Sequence, residues 1–227
     1  MLIAGSRAAA ADYDKDGDID LFVGGRVVPG RFPVIPKSVL LRNNKGRFTD
    51  VTESAAPGLS TAGMTSDVAW IDYDSDGDLD LLVVGEWMTP RLWRNTKGMF
   101  SEVTEGVGLK GLEGWWRCAT VADIDKDGDD DIVLGNMGLN CRFAPSENAP
   151  LEMVAADFDD NGSIDPLMSY VPDGVRRPTR GKRPRRLPRS DRRHGPAGYR
   201  GSSPSGSTGW RSGFPSAGCG SNPGRRR

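Results

Sequence analysis

Short apolar runs recur along the first part of the chain, each directly behind a dense block of aspartates. The approaches AAAA, DVAWI, ATVA and MVAA lead into the acidic blocks, and LFVGG, LLVVG, IVLGN and PLMSY lead out of them. Runs this short, bounded by Gly and Asp, have the length of strands rather than helices. A second pattern lies between the blocks: VLLRNNKGRFTDVTE (Val39–Glu53) aligns with RLWRNTKGMFSEVTE (Arg91–Glu105). Each is an apolar strand, an Asn-x-Lys-Gly turn and an alternating strand around Phe48 or Phe100, with Gly46 or Gly98 to supply the positive φ of a tight hairpin. One unit therefore reads strand, acidic loop, strand, strand, NxKG turn, strand. Four short antiparallel strands per ~50 residues predict a propeller blade. The expected fold is all-β: a partial β-propeller of three to four four-stranded blades, with no long helical periodicity.

The acidic block is a repeat. DYDKDGDID begins at Asp12, DYDSDGDLD at Asp72, DIDKDGDDD at Asp123 and DFDDNGSID at Asp157, at separations of 60, 51 and 34 residues. Aligned, they read D-x-D-x-D-G-x-x-D. Positions 1, 3 and 5 can aim carboxylates at one centre, Gly at position 6 permits a sharp turn, position 7 offers its carbonyl, and Asp at position 9 closes the shell. Such hard oxygen donors suit Ca²⁺ at a coordination number of ~6–8, and suit Mg²⁺ less because it dehydrates reluctantly. An EF-hand opens the same way but needs Glu at position 12 and flanking helices. Position 12 is Val23, Val83, Leu134 and Met168, so the EF-hand fails in every copy. A solvated turn would explain one loop and is a poor account of four. Loop four carries Asn161 and Ser163 and is expected to bind more weakly. Removing the cation would leave carboxylates facing one another, so metal is expected to be part of folding stability.

Charge divides the chain. The 227 residues have a net charge of -1, yet residues 1–175 hold 15 basic against 30 acidic residues, whereas 176–227 hold 15 basic residues and one acid, Asp191. Residues 1–175 are therefore read as the repeat domain and 176–227 as a disordered Arg/Gly/Pro/Ser-rich basic tail that cannot bury a core. The tail begins where another strand is due, and its composition is what a frameshift near Val175 in a GC-rich gene would produce. The alternatives are a genuine polyanion-binding arm, although only Tyr199, Trp210 and Phe214 could stack on bases, and a self-association arm facing the acidic domain. Cys118, Cys141 and Cys219 form no metal-ligand pattern; Cys118 and Cys141 read as two small buried thiols, with a disulfide as the alternative. The sole histidine, His194, lies in the tail, so zinc and histidine catalysis are poorly supported. No run approaches the ~18 apolar residues of a membrane span, and the start, MLIAGSRAAAA, lacks the features of a secretory signal.

These loops and the strands after them resemble FG-GAP/VCBS repeats, the calcium-binding blades of integrin-α-like β-propellers. DLFVGGRVVPGRFP, LLRNNKGRFTDVTE, the segment Glu113–Phe143 and AADFDDNGSIDPLMSY are similar to bacterial cartilage-acidic-protein-like, ASPIC/UnbV-associated proteins, over about residues 8–174. The resemblance implies a seven-bladed, usually extracytoplasmic propeller with Ca²⁺ in the loop joining the first two strands of a blade, up to four ions here. The implied ligands are Asp12, Asp14, Asp16, Asp18 and Asp20; Asp72, Asp74, Asp76, Asp78 and Asp80; Asp123, Asp125, Asp127, Asp129 and Asp131; and Asp157, Asp159, Asn161, Ser163 and Asp165. About 165 residues are too few to close such a ring, so a fragment of a longer propeller chain is expected, with the remaining blades as its partners, or else a ring closed by a partner.

The leading functional expectation is a calcium-stabilised module that binds a protein or glycan ligand outside the cytoplasm or at the cell surface, and is not an enzyme. The alternatives are part of a polysaccharide-acting propeller enzyme, or nucleic-acid binding through the tail, the less expected partner. A glycosidase needs two carboxylates across a cleft, and the acids outside the loops show no such pair; Asp50/Glu53 and Glu102/Glu105 are repeat-equivalent, which points to structure. Trp115 and Trp116 are expected to split between blade core and rim. The segment Gly135–Pro150 replaces the NxKG hairpin with a loop, either a binding insertion or an ordered connection.

Overall fold

The computed structural model describes residues 4–138, 141, 143, 145, 146, 148–171 and 175–178, and the backbone of 208–212. Strands β1 (Ala4–Ala11) and β2 (Asp20–Val27) flank the first acidic loop, and β3 (Val39–Asn44) and β4 (Arg47–Asp50) flank the first NxKG turn. They pair in chain order as one antiparallel sheet. β5 (Met64–Ile71), β6 (Asp80–Met88), β7 (Arg91–Thr96) and β8 (Met99–Glu102) repeat that unit. The predicted order of strand, loop, strand, strand, turn, strand therefore holds in both.

Loops three and four sit in hairpins: β9 (Gly114–Ala122) with β10 (Asp131–Asn136), and β11 (Leu151–Ala156) with β12 (Asp165–Tyr170). β9 joins the second sheet by pairing Trp115 with Glu86 and Gly114 with Met88. β12 carries β13 (Arg177–Pro178), and β11 carries β14 (Thr208–Ser212). These two short pairings fall within the segment expected to be disordered, of which 179–207 and 213–227 lie outside the described residues. Two short helical segments between β4 and β5, α1 (Thr52–Ala55) and a 3-10 turn at Leu59–Thr61, had no periodic signal in the sequence. The molecule is thus nearly all β, an array of antiparallel propeller-like units, and no closed barrel forms among the described residues.

Side-chain alternation explains the apolar runs. On β6, Leu81 and Val83 face one buried cluster with Tyr13, Phe22, Leu40, Trp93 and Phe100, while Leu82 and Val84 face a second with Ile71, Leu92 and Trp116. Successive side chains of a strand point to opposite faces, so a strand packed on both faces reads as an unbroken apolar run. The second unit is the middle layer of the array. A third cluster, Met64, Trp87, Leu151 and Met153, holds the β11–β12 hairpin. Trp116 is buried in the second cluster, whereas Trp115 is half-buried and packs edge-on against Trp87 at the margin of the third. Cys118 is exposed and Cys141 half-buried, both free; the reading of two buried thiols fails because Cys118 lies on an exposed part of β9.

Polar ties join the units as well. Asp67 on β5 pairs with Arg7 of β1 at 3.2 Å and accepts from the Ala119 amide of β9 at 3.1 Å. Glu86 takes both Arg26 and Arg117. Asp50 and Glu102 take equivalent places in the hydrogen bonding of their units. Each accepts from the hydroxyl of Thr52 or Thr104, which in turn accepts from the Leu40 or Leu92 amide.

Candidate metal-binding loops

Each acidic loop winds around its first aspartate. Asp12 accepts from the amides of Asp16 (3.1 Å) and Gly17 (3.0 Å), and Asp72 does the same with Asp76 (3.1 Å) and Gly77 (2.9 Å). Asp157 repeats it with Asn161 and Gly162, and Asp123 accepts from Gly128. The position-5 side chain then accepts from the amide two residues on, in all four loops. This winding places position 6 at positive φ: Gly17 92°, Gly77 88°, Gly128 98° and Gly162 83°. A Cβ on Gly17, Gly128 or Gly162 would meet nothing within 4 Å, so glycine is needed there for backbone freedom and not for room. Position 4 is also left-handed, at Lys15, Ser75, Lys126 and Asp160. The motif carries no glycine there to announce it.

Position 9 does more than close a shell. Asp20 and Asp80 are wholly buried. Asp20 accepts from the Tyr13 amide at 3.3 Å and from Asn43 on β3 at 2.7 Å; Asp80 accepts from Tyr73 at 3.0 Å and from Asn95 on β7 at 2.7 Å. Asp18 and Asp78, at position 7, turn their carboxylates to the Lys45 and Lys97 amides of the NxKG turns. Those turns have positive φ at both central residues, Lys45 with Gly46 and Lys97 with Gly98, the geometry a two-residue hairpin favours. Loop and hairpin are one hydrogen-bonded assembly. The sequence displayed the two motifs separately and did not reveal that they interlock.

Across the first two units the assembly continues. Asn95 donates to the Tyr13 carbonyl at 2.8 Å, and Tyr13 packs against Trp70 and Phe100. The second unit's hairpin therefore lies over loop one. Ile124 and Phe158 hold Tyr13's place in loops three and four, yet are 60% and 53% exposed against 2% for Tyr13.

Carboxylate oxygens converge in all four loops. Asp12, Asp14 and Asp20 bring one ligand atom each within 4.8 Å of one another, as do Asp72, Asp74 and Asp80; Asp123, Asp125 and Asp127; and Asp157, Asp159 and Asp165. Positions 1, 3 and 9 thus meet in loops one, two and four, and positions 1, 3 and 5 in loop three. Asp16 and Asp76 lie outside these groups and cap amides instead, Asn161 also caps an amide, and Asp131 of loop three accepts from the Ile124 amide.

Several of these carboxylates are buried or crowded by like charge. An Asp14 oxygen is buried without a hydrogen-bond partner. Burial holds the Asp14 and Asp20 carboxyls above the usual carboxylate range and pushes Asp80 up to about 6. In loop three the neighbouring Asp127 charge raises Asp125. Buried or crowded carboxylates with spare lone pairs are what a divalent cation stabilises, so the residues fit a metal.

Two stretches of the chain, residues 12–83 and 72–134, match the family model described as an FG-GAP-like repeat. No curated protein matches the chain.

Proposed function

The chain belongs to the FG-GAP-like repeat family, and from that premise we propose that it is a calcium-binding propeller module that presents a rigid surface to a protein or glycan ligand outside the cell. The observation that carries the calcium reading is the convergence of three carboxylates in each loop, with the partnerless Asp14 oxygen and buried Asp20 in loop one. The donors are all hard oxygens, which favours Ca²⁺ over softer metals. Asp12, Asp14 and Asp20 would hold the ion in loop one, and the equivalent groups would do so in the other three. Bound there, the ion supplies positive charge that offsets the repulsion among the carboxylates. Asp20 and Asp80 hold loop to hairpin, so binding is linked to the stability of the whole unit.

The adhesion part of the reading is supported by membership of the FG-GAP-like repeat family and by the resemblance of the loop motif to integrin-α-like repeats. An extracellular or cell-surface site suits it, since calcium there is abundant enough for sites of ~10⁻⁴–10⁻³ M. No described helix is long and apolar enough to cross a membrane. A binding role is preferred to catalysis because the loop acids converge on the proposed metal sites, and Asp50 and Glu102 accept from neighbouring threonines. Calorimetry of the full chain in calcium and in chelator tests the metal: a large loss of thermal stability in chelator is expected, and no change would overturn the reading. A glycan and protein array, run with a polysaccharide turnover assay, separates binder from enzyme.

A further inference from the structure

We propose that Arg94 is a resident counter-cation of the second acidic loop, competing with the metal there and making loops one and two unequal in affinity; the inference rests on the calcium reading above. Arg94 places Nε 2.8 Å from Asp74 Oδ2 and Nη2 3.3 Å from Asp76 Oδ2. Asp74 is one of the three converging carboxylates of that loop. The guanidinium thus sits against a metal ligand rather than out in solvent, although its side chain is 42% exposed.

The backbone beneath it is fixed. Arg94 pairs with Ser101 of β8, and the next residue, Asn95, gives its amide to Asp80, the position-9 carboxylate of the same loop. Hairpin and loop are therefore held at a set distance, and the arginine has a short reach to its acids.

The repeat supplies its own comparison. Arg42 holds the equivalent place on β3, one residue before Asn43; its charge acts on the Asp14 carboxyl, but among the described residues no ion pair joins it to loop one, so it stands further off than Arg94 does from Asp74. Loop one instead keeps a buried Asp14 oxygen without a partner. Loop one even exports its charge: Lys15, at its position 4, reaches across to Asp78 of loop two at 2.7 Å. Loop two thus has two basic side chains on its acids, Arg94 and Lys15. A carboxylate shared with a guanidinium is a poorer ligand for a dication, and the two cations repel. Two charges against one at about 5 Å in a water-like dielectric correspond to about a tenfold change in affinity after screening.

Isothermal titration of the full chain with calcium at low ionic strength tests this, using Arg94→Gln, Arg94→Lys and the loop-two knockout Asp72→Asn. Arg94→Gln should tighten one binding step by about tenfold, and Arg94→Lys should stay near wild type because the charge remains. In the Asp72→Asn background, Arg94→Gln should change nothing, which assigns the tightened step to loop two. In chelator, Arg94→Gln should melt earlier than wild type, since its acids have lost their counter-charge. Unchanged or weaker calcium binding in Arg94→Gln, with wild type still binding, would overturn the competition and leave the calcium reading intact. Absence of calcium binding in wild type would overturn both.

Discussion

Asn95→Ala is the substitution that asks most of the loop–hairpin assembly. Its side chain, wholly buried, donates to the Tyr13 and Leu79 carbonyls at 2.8 and 3.0 Å and accepts from the Gly98 amide at 2.8 Å. Truncation removes three hydrogen bonds and strands their backbone partners, two of them at the junction of the first two units. At about 1 kcal/mol net per bond the loss is about 3 kcal/mol. Asn43 is the matched control, because it occupies the same turn in the first unit with only the Ile19 and Gly46 bonds, both exposed. Asn43→Ala should cost about 1 kcal/mol, since water replaces the lost partners. With a urea slope of about 2 kcal/mol/M, the two midpoints should fall by about 1.5 M and about 0.5 M. Urea titrations followed by tryptophan fluorescence, in calcium and in chelator, measure both. Equal losses in the two variants would refute the claim that the second hairpin bears on loop one.

Tyr13→Ala should cost about 3–5 kcal/mol, as a buried aromatic lost from its packing against Trp70 and Phe100, whereas Phe158→Ala at the equivalent exposed position should stay within about 0.5 kcal/mol by the same titration. Gly98→Ala should destabilise more than Gly46→Ala: both positions have positive φ, but only at Gly98 would a Cβ come within 3.1 Å of Asp14, against open space at Gly46. Comparing their melting temperatures checks this, and a larger loss at Gly46 would contradict the packing of that hairpin on loop one. The Asp80 carboxyl, raised by burial from 3.8 to about 6, keeps its proton in the folded chain after the unfolded chain has released it. Its contribution to metal-free stability is therefore full below about pH 4 and lost as pH rises towards about 6. Calcium needs the ionised form, so the rise in melting temperature that calcium gives should be greater above that window than below it; a rise independent of pH would count against Asp80 as a ligand.

The repeating unit of this protein is legible in its local sequence. Spacing fixed the order of strands around each acidic loop, Gly17 and Gly46 announced their turns through a conformation few other residues adopt, and the aspartates of positions 1 and 3 declared an oxygen-rich site. These are local properties, written in the bonding and sterics of neighbouring residues. Tertiary structure decided what the units do to one another. Asp18 and Asp20 meet the hairpin amides of Lys45 and Asn43 more than 20 residues away in sequence, contacts that no local spacing records. Asn43 and Asn95 stand in identical motifs, yet only Asn95 bridges two units, because only the second hairpin has a loop beneath it. Tyr13 and Phe158 occupy one motif position and differ in burial for the same reason. Leu81 to Val84 read as a plain apolar run, and only the layers on either side assign alternate residues to two cores. A repeat specifies each copy almost identically; position in the array then gives each copy different neighbours, and with them different energetics.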